Sequence, residues 1–313
     1  MTTMFGKIKP ENLAYYLQRV EKYFPEFKDK KRIDKTDIER YYNDSFWGYA
    51  LFHSWAGAIH MALSKDGVFR KNDYFRQAEE VSKEIQISNN QEAFSVLEVG
   101  CGRGFNIRFL ARRLPNVKFH GVDITKRNIL AARKDAQNVL NVEFSIGDFH
   151  ELSEISDSSQ DYVFAVETLC HSDDIEKAAK SISRVLTTGG KLIVFDGFRG
   201  LGEQLSAIDA KAVKYAERSM AVPSFHDQQK FFEAFEKCGL RLELREDRSD
   251  DIMPNLIRLS DLAKAFFKFS FFSRIFLYVL PRGLVANSIA GILMAITVQS
   301  GSHKYIKCVF VKE

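Results

Sequence analysis

The sequence predicts an α/β fold in which a parallel sheet carries helices on both faces. From Ser95 to about residue 245, short apolar runs alternate with segments of helical period, a pattern typical of strands linked through helices. Three alternating glycines, Gly100, Gly102 and Gly104, directly follow the first apolar run. In an open α/β sheet, such a junction at the carboxyl end of a strand is where nucleotide-like ligands bind.

Residues 1 to 90 precede this alternation, and we expect them to form a helical N-terminal lid. A polar helix opens at Asp34, and an aromatic stretch follows from Phe46 to Trp55. The first seven residues lack the apolar stretch of a signal peptide, so a cytoplasmic location is expected. A turn-rich linker, Ser88 to Ala93, leads into the glycine strand.

Residues 91 to 248 are predicted to form the ligand-binding core. Apolar runs indicate strands, and the periodic segments between them indicate helices. The predicted strands are Ser95–Val99, Val117–Asp123, Val142–Ile146, Asp161–Val166, Gly189–Phe195 and Arg241–Arg245. One predicted helix begins at Phe105. Three more span Lys126–Gln137, Ile175–Leu186 and Gln229–Cys238.

Residues 249 to 290 are predicted to be a helical cap insertion, and residues 291 to 313 to complete the sheet with a strand over His303–Val311. The chain has 27 phenylalanines, several of them between Phe266 and Phe276. Neither this block nor the uncharged stretch 283–298 reaches the ~20 residues of a membrane-spanning helix. The block is compatible with a buried cap helix, a channel for an apolar acceptor, or peripheral contact with a membrane.

The overall composition argues against several classes of partner. Apolar residues make up 45% and charged residues 27% of the chain, as in ordinary globular proteins. A net charge of +4, without basic runs interleaved with aromatic residues, gives no basis for nucleic-acid binding. The four cysteines have no C-x-x-C spacing, and the histidines have no metal-ligand spacing, so neither disulfides nor a metal site are expected.

The glycine loop does not match the common phosphate-binding motifs. A dinucleotide fingerprint requires G-x-G-x-x-G, and Phe105 stands where its third glycine would be. G-x-x-x-x-G-K-[ST] is absent as well. Because glycine lets the backbone pass close to a ligand, the loop suits a ligand with a ribose and a small charged group.

Two acidic residues follow the next two strands. Asp123 ends the second strand, 19 residues beyond Gly104, a spacing that suits hydrogen bonds to ribose hydroxyls. Asp148 and Phe149 follow the third strand and could hold an adenine amino group and ring face. The alternatives are that Asp123 and Thr125 only begin the next helix, and that Asp148 is a surface-loop acid.

Together these segments resemble the motif series of class I S-adenosylmethionine-dependent methyltransferases. The match spans about residues 95 to 195 and consists of Glu98-Val-Gly-Cys-Gly-Arg-Gly104, Gly121-Val-Asp123, Gly147-Asp148 and Leu186-Thr-Thr-Gly-Gly190. The resemblance implies a Rossmann-like methyltransferase sheet and S-adenosylmethionine as cofactor. The resemblance and the positions of the strand ends together predict the residues that contact the cofactor. These are Glu98, Gly100, Cys101, Gly102, Gly104, Asn106, Asp123, Ile124, Gly147, Asp148, Phe149 and Glu167.

A finer resemblance lies in Phe164-Ala-Val-Glu-Thr-Leu-Cys-His171. It is similar to the I-E-A-T-C-H segment of sterol and tocopherol C-methyltransferases, a subgroup that also has an aromatic stretch before its glycine loop. The chain departs from that subgroup at Leu169, where threonine is usual, and at Ser172-Asp173, where alanine-proline is usual. Leu186-Thr-Thr-Gly-Gly190 likewise replaces the usual L-K-P-G-G.

Methylation of an alkene carbon creates a carbocation, which aromatic faces can stabilise and from which a base must remove a proton. We assign the acid–base roles to Glu167, His171 and His60, although a lone histidine such as His60 is often a packing residue. The residues predicted to bind the acceptor are Tyr41, Tyr42, Phe46, Trp47, Trp55 and His171.

The sequence therefore predicts methyl transfer to an apolar small molecule, most readily carbon methylation of an isoprenoid or lipid-like acceptor; a homo-oligomer is compatible with this prediction. Three alternatives remain open. One is a natural-product N- or O-methyltransferase. Another is a prenyl diphosphate C-methyltransferase, whose diphosphate could bind Arg199, Arg218 and Arg282. The third is a cofactor-binding subunit without catalytic activity.

Overall fold

A computed structural model describes residues 13–25, 33–48, 54, 56–87, 94–200, 205–268 and 282–313. For residues 46–48, 265–268 and 282–284 the description covers the backbone. The predicted acceptor residues Phe46 and Trp47 are therefore described without their side chains. Trp55 and most of the block Phe266–Phe276 lie outside the described residues.

Helices and strands alternate through the middle of the described chain. The strands are β1 (Ser95–Val99), β2 (Lys118–Asp123), β3 (Val142–Ile146), β4 (Gln160–Val166), β5 (Leu186–Arg199), β6 (Leu240–Asp247) and β7 (His303–Lys312). The α-helices are α1 (Leu13–Tyr23), α2 (Lys35–Gly48), α3 (Arg76–Ile87), α4 (Phe105–Arg113), α5 (Lys126–Asp135), α6 (Ile175–Val185), α7 (Ala207–Ser219), α8 (Gln228–Glu236), α9 (Ser249–Lys268) and α10 (Arg282–Gln299).

The strands form one seven-stranded sheet in the order β3-β2-β1-β4-β5-β7-β6. β1 to β5 are parallel, as predicted. The expectation of a parallel sheet is wrong for β7 alone, which runs antiparallel between β5 and β6; β6 has the same direction as β1 to β5. The α/β methyltransferase fold is thus confirmed, with a mixed sheet in place of a fully parallel one.

Successive residues of the central strands point to opposite faces of the sheet, and each face is covered by an apolar core. Val96 and Phe164 belong to one core, whereas their neighbours Leu97 and Val163 belong to the other. A third cluster joins α1, α7 and α10 through residues such as Leu17 and Ala216. The N-terminal and late helices therefore pack on each other beside the sheet.

The glycine loop connects β1 to α4 in backbone conformations that favour glycine. Gly100, Gly102 and Gly104 have φ angles of 65°, 52° and 69°, in the left-handed region that side chains disfavour. A Cβ atom on Gly104 would also lie 2.7 Å from the Phe144 ring. The loop thus passes tightly over the carboxyl ends of β1 and β2.

The late helices form the predicted cap region, although α10 continues past residue 290 to Gln299. The division into four segments at residues 90, 248 and 290 stays a prediction. Among the described residues, no helix combines the length and apolar character required to cross a membrane.

Candidate active site

One pocket lies at the carboxyl ends of β1 to β4, where the sequence places the cofactor. Gly102 and Gly104 shape the loop beside it. The predicted cofactor residues that line it are Glu98, Gly100, Cys101, Asn106, Asp123, Ile124, Gly147, Asp148, Phe149 and Glu167. The topology therefore brings together residues from four separate strand ends, as the sequence analysis expects.

Asp123 lines this pocket and anchors the loop beside it. Its carboxylate accepts hydrogen bonds from the backbone N–H groups of Gly102, at 2.9 Å, and Thr125, at 2.7 Å. Burial raises the pKa of Asp123, against these hydrogen bonds. Asp123 thus ties the glycine loop to the start of α5, and this anchoring role accompanies the predicted contact with ribose hydroxyls.

Asp148 lies at the opposite side of the pocket, next to the N-terminus of α2. Its carboxylate accepts hydrogen bonds from the backbone N–H and Nδ1 of His150, at 2.9 and 2.7 Å, and forms an ion pair with Lys35. Burial alone would raise the pKa of Asp148, but the bonds from His150 and Lys35 hold it well below its ordinary value. Asp148 is therefore ionised, as an acceptor for an adenine amino group should be.

His60 lies beneath the pocket in a buried polar chain. Its Nδ1 is 2.9 Å from the Met61 carbonyl, and its Nε2 is 3.2 Å from Oδ1 of Asn106, whose amide donates to Glu98. Burial lowers the pKa of His60 and raises that of Glu98 well above its ordinary value. His60 lines the cofactor pocket but not the second cavity described next, so the geometry favours a packing role over the predicted catalytic one.

The second cavity has a volume of about 290 Å³ and mostly apolar walls. Helices α9 and α10 supply much of its lining, with further side chains from the segment after α7. The apolar lining residues include Ile252, Leu256, Leu259, Val285, Met294, Met220, Val222 and Phe225. The predicted cap region thus encloses an apolar compartment next to the sheet.

The two cavities meet at a shared wall. Tyr42, Ile59, Glu167 and His171 line both of them. Glu167 directly follows β4, and His171 lies in the short 3₁₀ turn behind it. The segment that resembles I-E-A-T-C-H therefore separates the predicted cofactor site from an apolar compartment.

Glu167 is held in an uncommon environment for a carboxyl group. It has a positive φ of 50°, accepts a hydrogen bond from the backbone N–H of Met61 at 2.7 Å, and is hydrogen-bonded to the Tyr305 hydroxyl. Burial raises the pKa of Glu167 to about 8, aided by the nearby Asp196 carboxylate and opposed by the Met61 bond. Its carboxyl group is therefore mostly protonated near pH 7 in the free protein.

His171 is a neutral imidazole at physiological pH. Burial lowers the pKa of His171 to about 4, although a hydrogen bond to the Ala221 carbonyl opposes this. Nδ1 is 3.1 Å from that carbonyl and must donate to it, so Nε2 carries the lone pair and accepts from the Tyr42 hydroxyl at 2.9 Å. The side chain is thus oriented with its basic nitrogen toward Tyr42.

Tyr41 and Tyr42 take different positions in α2. Tyr42 lines both cavities, whereas Tyr41 lines the apolar one and donates to Oδ1 of Asn287 in α10 at 2.5 Å. The two rings are in edge contact, with centroids 5.1 Å apart. Both predicted tyrosines therefore line the apolar cavity.

Sequence reasoning did not identify Asp196 and Tyr305, which both line the apolar cavity. Asp196 is 1% exposed, and its Oδ2 accepts from the backbone N–H groups of Thr168 and Cys170 at 3.2 and 3.0 Å. Burial raises the pKa of Asp196 to about 6. Asp196 lies in β5 near the carboxyl end of the sheet, so the strand-end signal used for Asp123 and Asp148 could have indicated it.

Comparison with known proteins agrees with this geometry. A family model described as a methyltransferase domain matches residues 90–239, which contain the glycine loop and the shared wall. Residues 90–239 form a class I S-adenosylmethionine-dependent methyltransferase domain. S-adenosylmethionine is accordingly its cofactor.

Relatives with known names fall into several acceptor classes. The chain is 24% identical over 261 residues to cycloartenol-C-24-methyltransferase 1 of Oryza sativa subsp. japonica, covering 79% of this chain and 72% of that protein. A putative sarcosine dimethylglycine methyltransferase from Galdieria sulphuraria has the same fold, with a TM-score of 0.68, 20% identity and coverage of 88% and 98%. So does geranyl diphosphate C-methyltransferase from Streptomyces coelicolor A3(2), solved with S-adenosyl-L-homocysteine, with a TM-score of 0.61, 16% identity and coverage of 89% and 97%.

Proposed function

We propose that this methyltransferase acts on an apolar small molecule, with carbon methylation of an isoprenoid or lipid-like acceptor as its reaction. The observation that carries the proposal is the shared wall of Tyr42, Ile59, Glu167 and His171 between the cofactor pocket and the apolar cavity. An acceptor in that cavity meets the methyl donor across these four side chains. The named relative that methylates cycloartenol, a C-24-methyltransferase, has an acceptor class that suits such walls.

The cofactor pocket fits its ligand by its hydrogen-bond acceptors and its shape. Asp123 and Asp148 place acceptor oxygens at two strand ends, and a Cβ on Gly102 would come within 2.7 Å of Ile59, so the loop leaves no room for a larger residue. S-adenosylmethionine supplies an already activated methyl group, which needs alignment more than acid–base help. The chain's remaining task is to orient the acceptor and to accept a proton from it.

His171 is the base that the geometry favours. Its imidazole is neutral near pH 7 and its Nε2 lone pair faces Tyr42 at the shared wall. Glu167 starts mostly protonated, and positive charge beside it favours its ionised form. A carbocation in the acceptor would thus be stabilised by Glu167 and the Tyr42 ring. The Tyr42 hydroxyl takes the proton from the acceptor and passes its own proton to His171 Nε2.

The proposal is tested by incubating the protein with methyl-labelled S-adenosylmethionine and pools of lipids, prenyl diphosphates and amines, followed by mass spectrometry. We expect labelled carbon in a lipid product and at least tenfold slower labelling with His171→Ala or Glu167→Gln. The matched controls are His120→Ala and Glu143→Gln, which alter residues of β2 and β3 outside both cavities. Label on nitrogen or oxygen alone would contradict carbon methylation.

Amine methylation is the second candidate, because Glu167 and Asp196 place two carboxyl groups in the wall of the acceptor cavity. A protonated amine could pair with either group, and one protein of the same fold has sarcosine and dimethylglycine in its name. This acceptor class predicts label on nitrogen and strong inhibition by simple quaternary ammonium ions. The mostly apolar lining favours the carbon acceptor.

A prenyl diphosphate acceptor would need cations at the cavity. Arg199 is already engaged by Glu217 through two bonds of 2.6 and 2.7 Å. The cation among the described lining residues is Lys304, which pairs with Asp247 at 3.0 Å. Arg218 is not among the lining residues, and the side chain of Arg282 lies outside the description. The described lining residues therefore favour an acceptor without a diphosphate.

A further inference from the structure

A second buried polar chain connects the adenine side of the cofactor pocket to the turn that carries His171. Asp148 Oδ1 lies 2.7 Å from His150 Nδ1, and His150 Nε2 lies 2.8 Å from the Ser172 hydroxyl. His150 is 7% exposed and Ser172 is 2% exposed. The bond to Ser172 is therefore shielded from water and the bond to Asp148 is partly shielded. Losing one partner of the buried bond leaves a buried polar group unsatisfied.

The partners of His150 determine one of its two hydrogen bonds. An ionised carboxylate can only accept, so His150 Nδ1 carries a proton and donates to Asp148. Nε2 and the Ser172 hydroxyl share the second hydrogen bond. The same hydroxyl accepts from the backbone N–H of Asp174 at 3.2 Å. These bonds make the chain a connector between Asp148 and the turn that carries His171.

The same order of acid, histidine and serine occurs in serine hydrolases, but here the serine is too buried to meet a substrate. Ser172 instead directly follows His171, and Asp174 is the N-cap of α6. Sterol and tocopherol C-methyltransferases, by the resemblance above, carry alanine where this chain has Ser172. The hydroxyl that completes the connector is therefore one of the chain's departures from that subgroup.

We propose that His150 is a positioning residue that couples the adenine side of the cofactor pocket to the orientation of His171. Cofactor contact at Asp148 restrains the Asp148 carboxylate, His150 transmits that restraint to Ser172, and Ser172 fixes the adjacent His171 turn. The inference rests on the proposed function, because it assigns adenine contact to Asp148 and the base to His171. It adds that the orientation of His171 depends on contacts at the adenine side of the cofactor pocket.

A second connection reaches the same turn from outside. Lys35, at the start of α2, pairs with Asp148, and Tyr42 in the same helix bonds to His171. Lys35 is about half exposed, so its ion pair contributes little in water. The connector through His150 is therefore the more buried of the two links.

The first test measures the affinity of S-adenosylhomocysteine by calorimetry for His150→Phe, Ser172→Ala and the double variant. The control is Ser145→Ala, which removes the same type of bond, Ser145 Oγ to His120 Nε2 at 2.7 Å, from neighbouring strands outside the site. We expect each single variant to weaken binding at least fivefold, within the usual range of coupling between sites. The double variant should lose no more than His150→Phe does, because both changes break one connector.

The second test observes His171 itself by NMR of protein labelled at the Cε1 carbons of its seven histidines, with His171→Ala used to assign the signal. S-adenosylhomocysteine should shift the His171 signal in the wild type and in Ser145→Ala, and the shift should fall by at least half in Ser172→Ala. A Ser172→Ala response equal to that of Ser145→Ala would overturn the coupling, as would additive losses in the double variant. Absence of S-adenosylhomocysteine binding by the wild type would instead refute the site assignment that underlies the proposed function.

Discussion

Replacing Glu167 with glutamine should change how the stability of the protein depends on pH. The folded-state pKa of Glu167 is raised from 4.5 to about 8 by burial, so between these values the folded protein binds the proton more tightly than the unfolded chain. Where the folded state binds more protons, the free energy of unfolding falls as the pH rises. The wild type should therefore lose stability toward alkaline pH, through the folded pKa.

The size of the loss follows from the same shift. For a carboxyl group with these two pKa values, the contribution to the free energy of unfolding falls by about 2–3 kcal/mol between pH 6 and pH 9. Glutamine has nearly the shape of glutamate, can still accept from the Met61 N–H with its side-chain oxygen, and does not ionise in this range. The Glu167→Gln curve should therefore stay flatter by that amount.

Urea unfolding at pH 6, 7, 8 and 9, followed by circular dichroism, measures both curves. Glu143→Gln on the exposed side of β3 is the matched control and should follow the wild type. Parallel curves for the wild type and Glu167→Gln would refute the claim that burial keeps Glu167 protonated. They would also remove the reason for assigning the base to His171 in preference to Glu167.

Three further predictions concern the donor site and the shared wall. Asp123→Ala should weaken S-adenosylmethionine binding in calorimetry at least tenfold, about 1.4 kcal/mol, because it removes the acceptor of the Gly102 and Thr125 N–H groups; unchanged affinity would contradict the assigned role of Asp123. Gly102→Ala should also weaken cofactor binding, since its φ is 52° and its Cβ would lie 2.7 Å from Ile59, whereas Gly189→Ala, with a similar φ but open space around it, should bind normally. Tyr42→Phe should leave cofactor affinity within about twofold and slow methyl transfer in the labelling assay about tenfold, which corresponds to about 1.4 kcal/mol and to the loss of one hydrogen bond; full activity would exclude the Tyr42–His171 hydrogen bond from the reaction.

The strand ends and the cofactor site could be predicted from the sequence because local residue patterns indicate them. The bounds predicted for Ser95–Val99 and Val142–Ile146 are those of β1 and β3, since glycines or turn residues border both runs. Asp123 and Asp148 follow strands that the parallel arrangement brings to one edge. The direction of β7 was not accessible, because a period of two residues does not distinguish parallel from antiparallel pairing.

The lining of the apolar cavity could not be predicted because it depends on contacts between distant parts of the chain. Tyr305 is more than 130 residues from Glu167, and only the insertion of β7 beside β5 brings its hydroxyl to that carboxyl group. No role for His150 follows from the sequence, because a histidine two residues after an acid has no distinctive spacing. Its partner Ser172 reaches it through the turn after β4, which no local pattern predicts.

The two cavities are built by different stretches of the chain. The donor pocket comes mostly from the segment that matches the methyltransferase family, whereas α9 and α10 contribute much of the apolar compartment and follow that segment. Selection can therefore vary the compartment while the donor machinery stays intact, so one ancestral enzyme could give rise to descendants with different acceptors. For engineering, residues 249–299 are the stretch to exchange between homologues when a new acceptor is wanted.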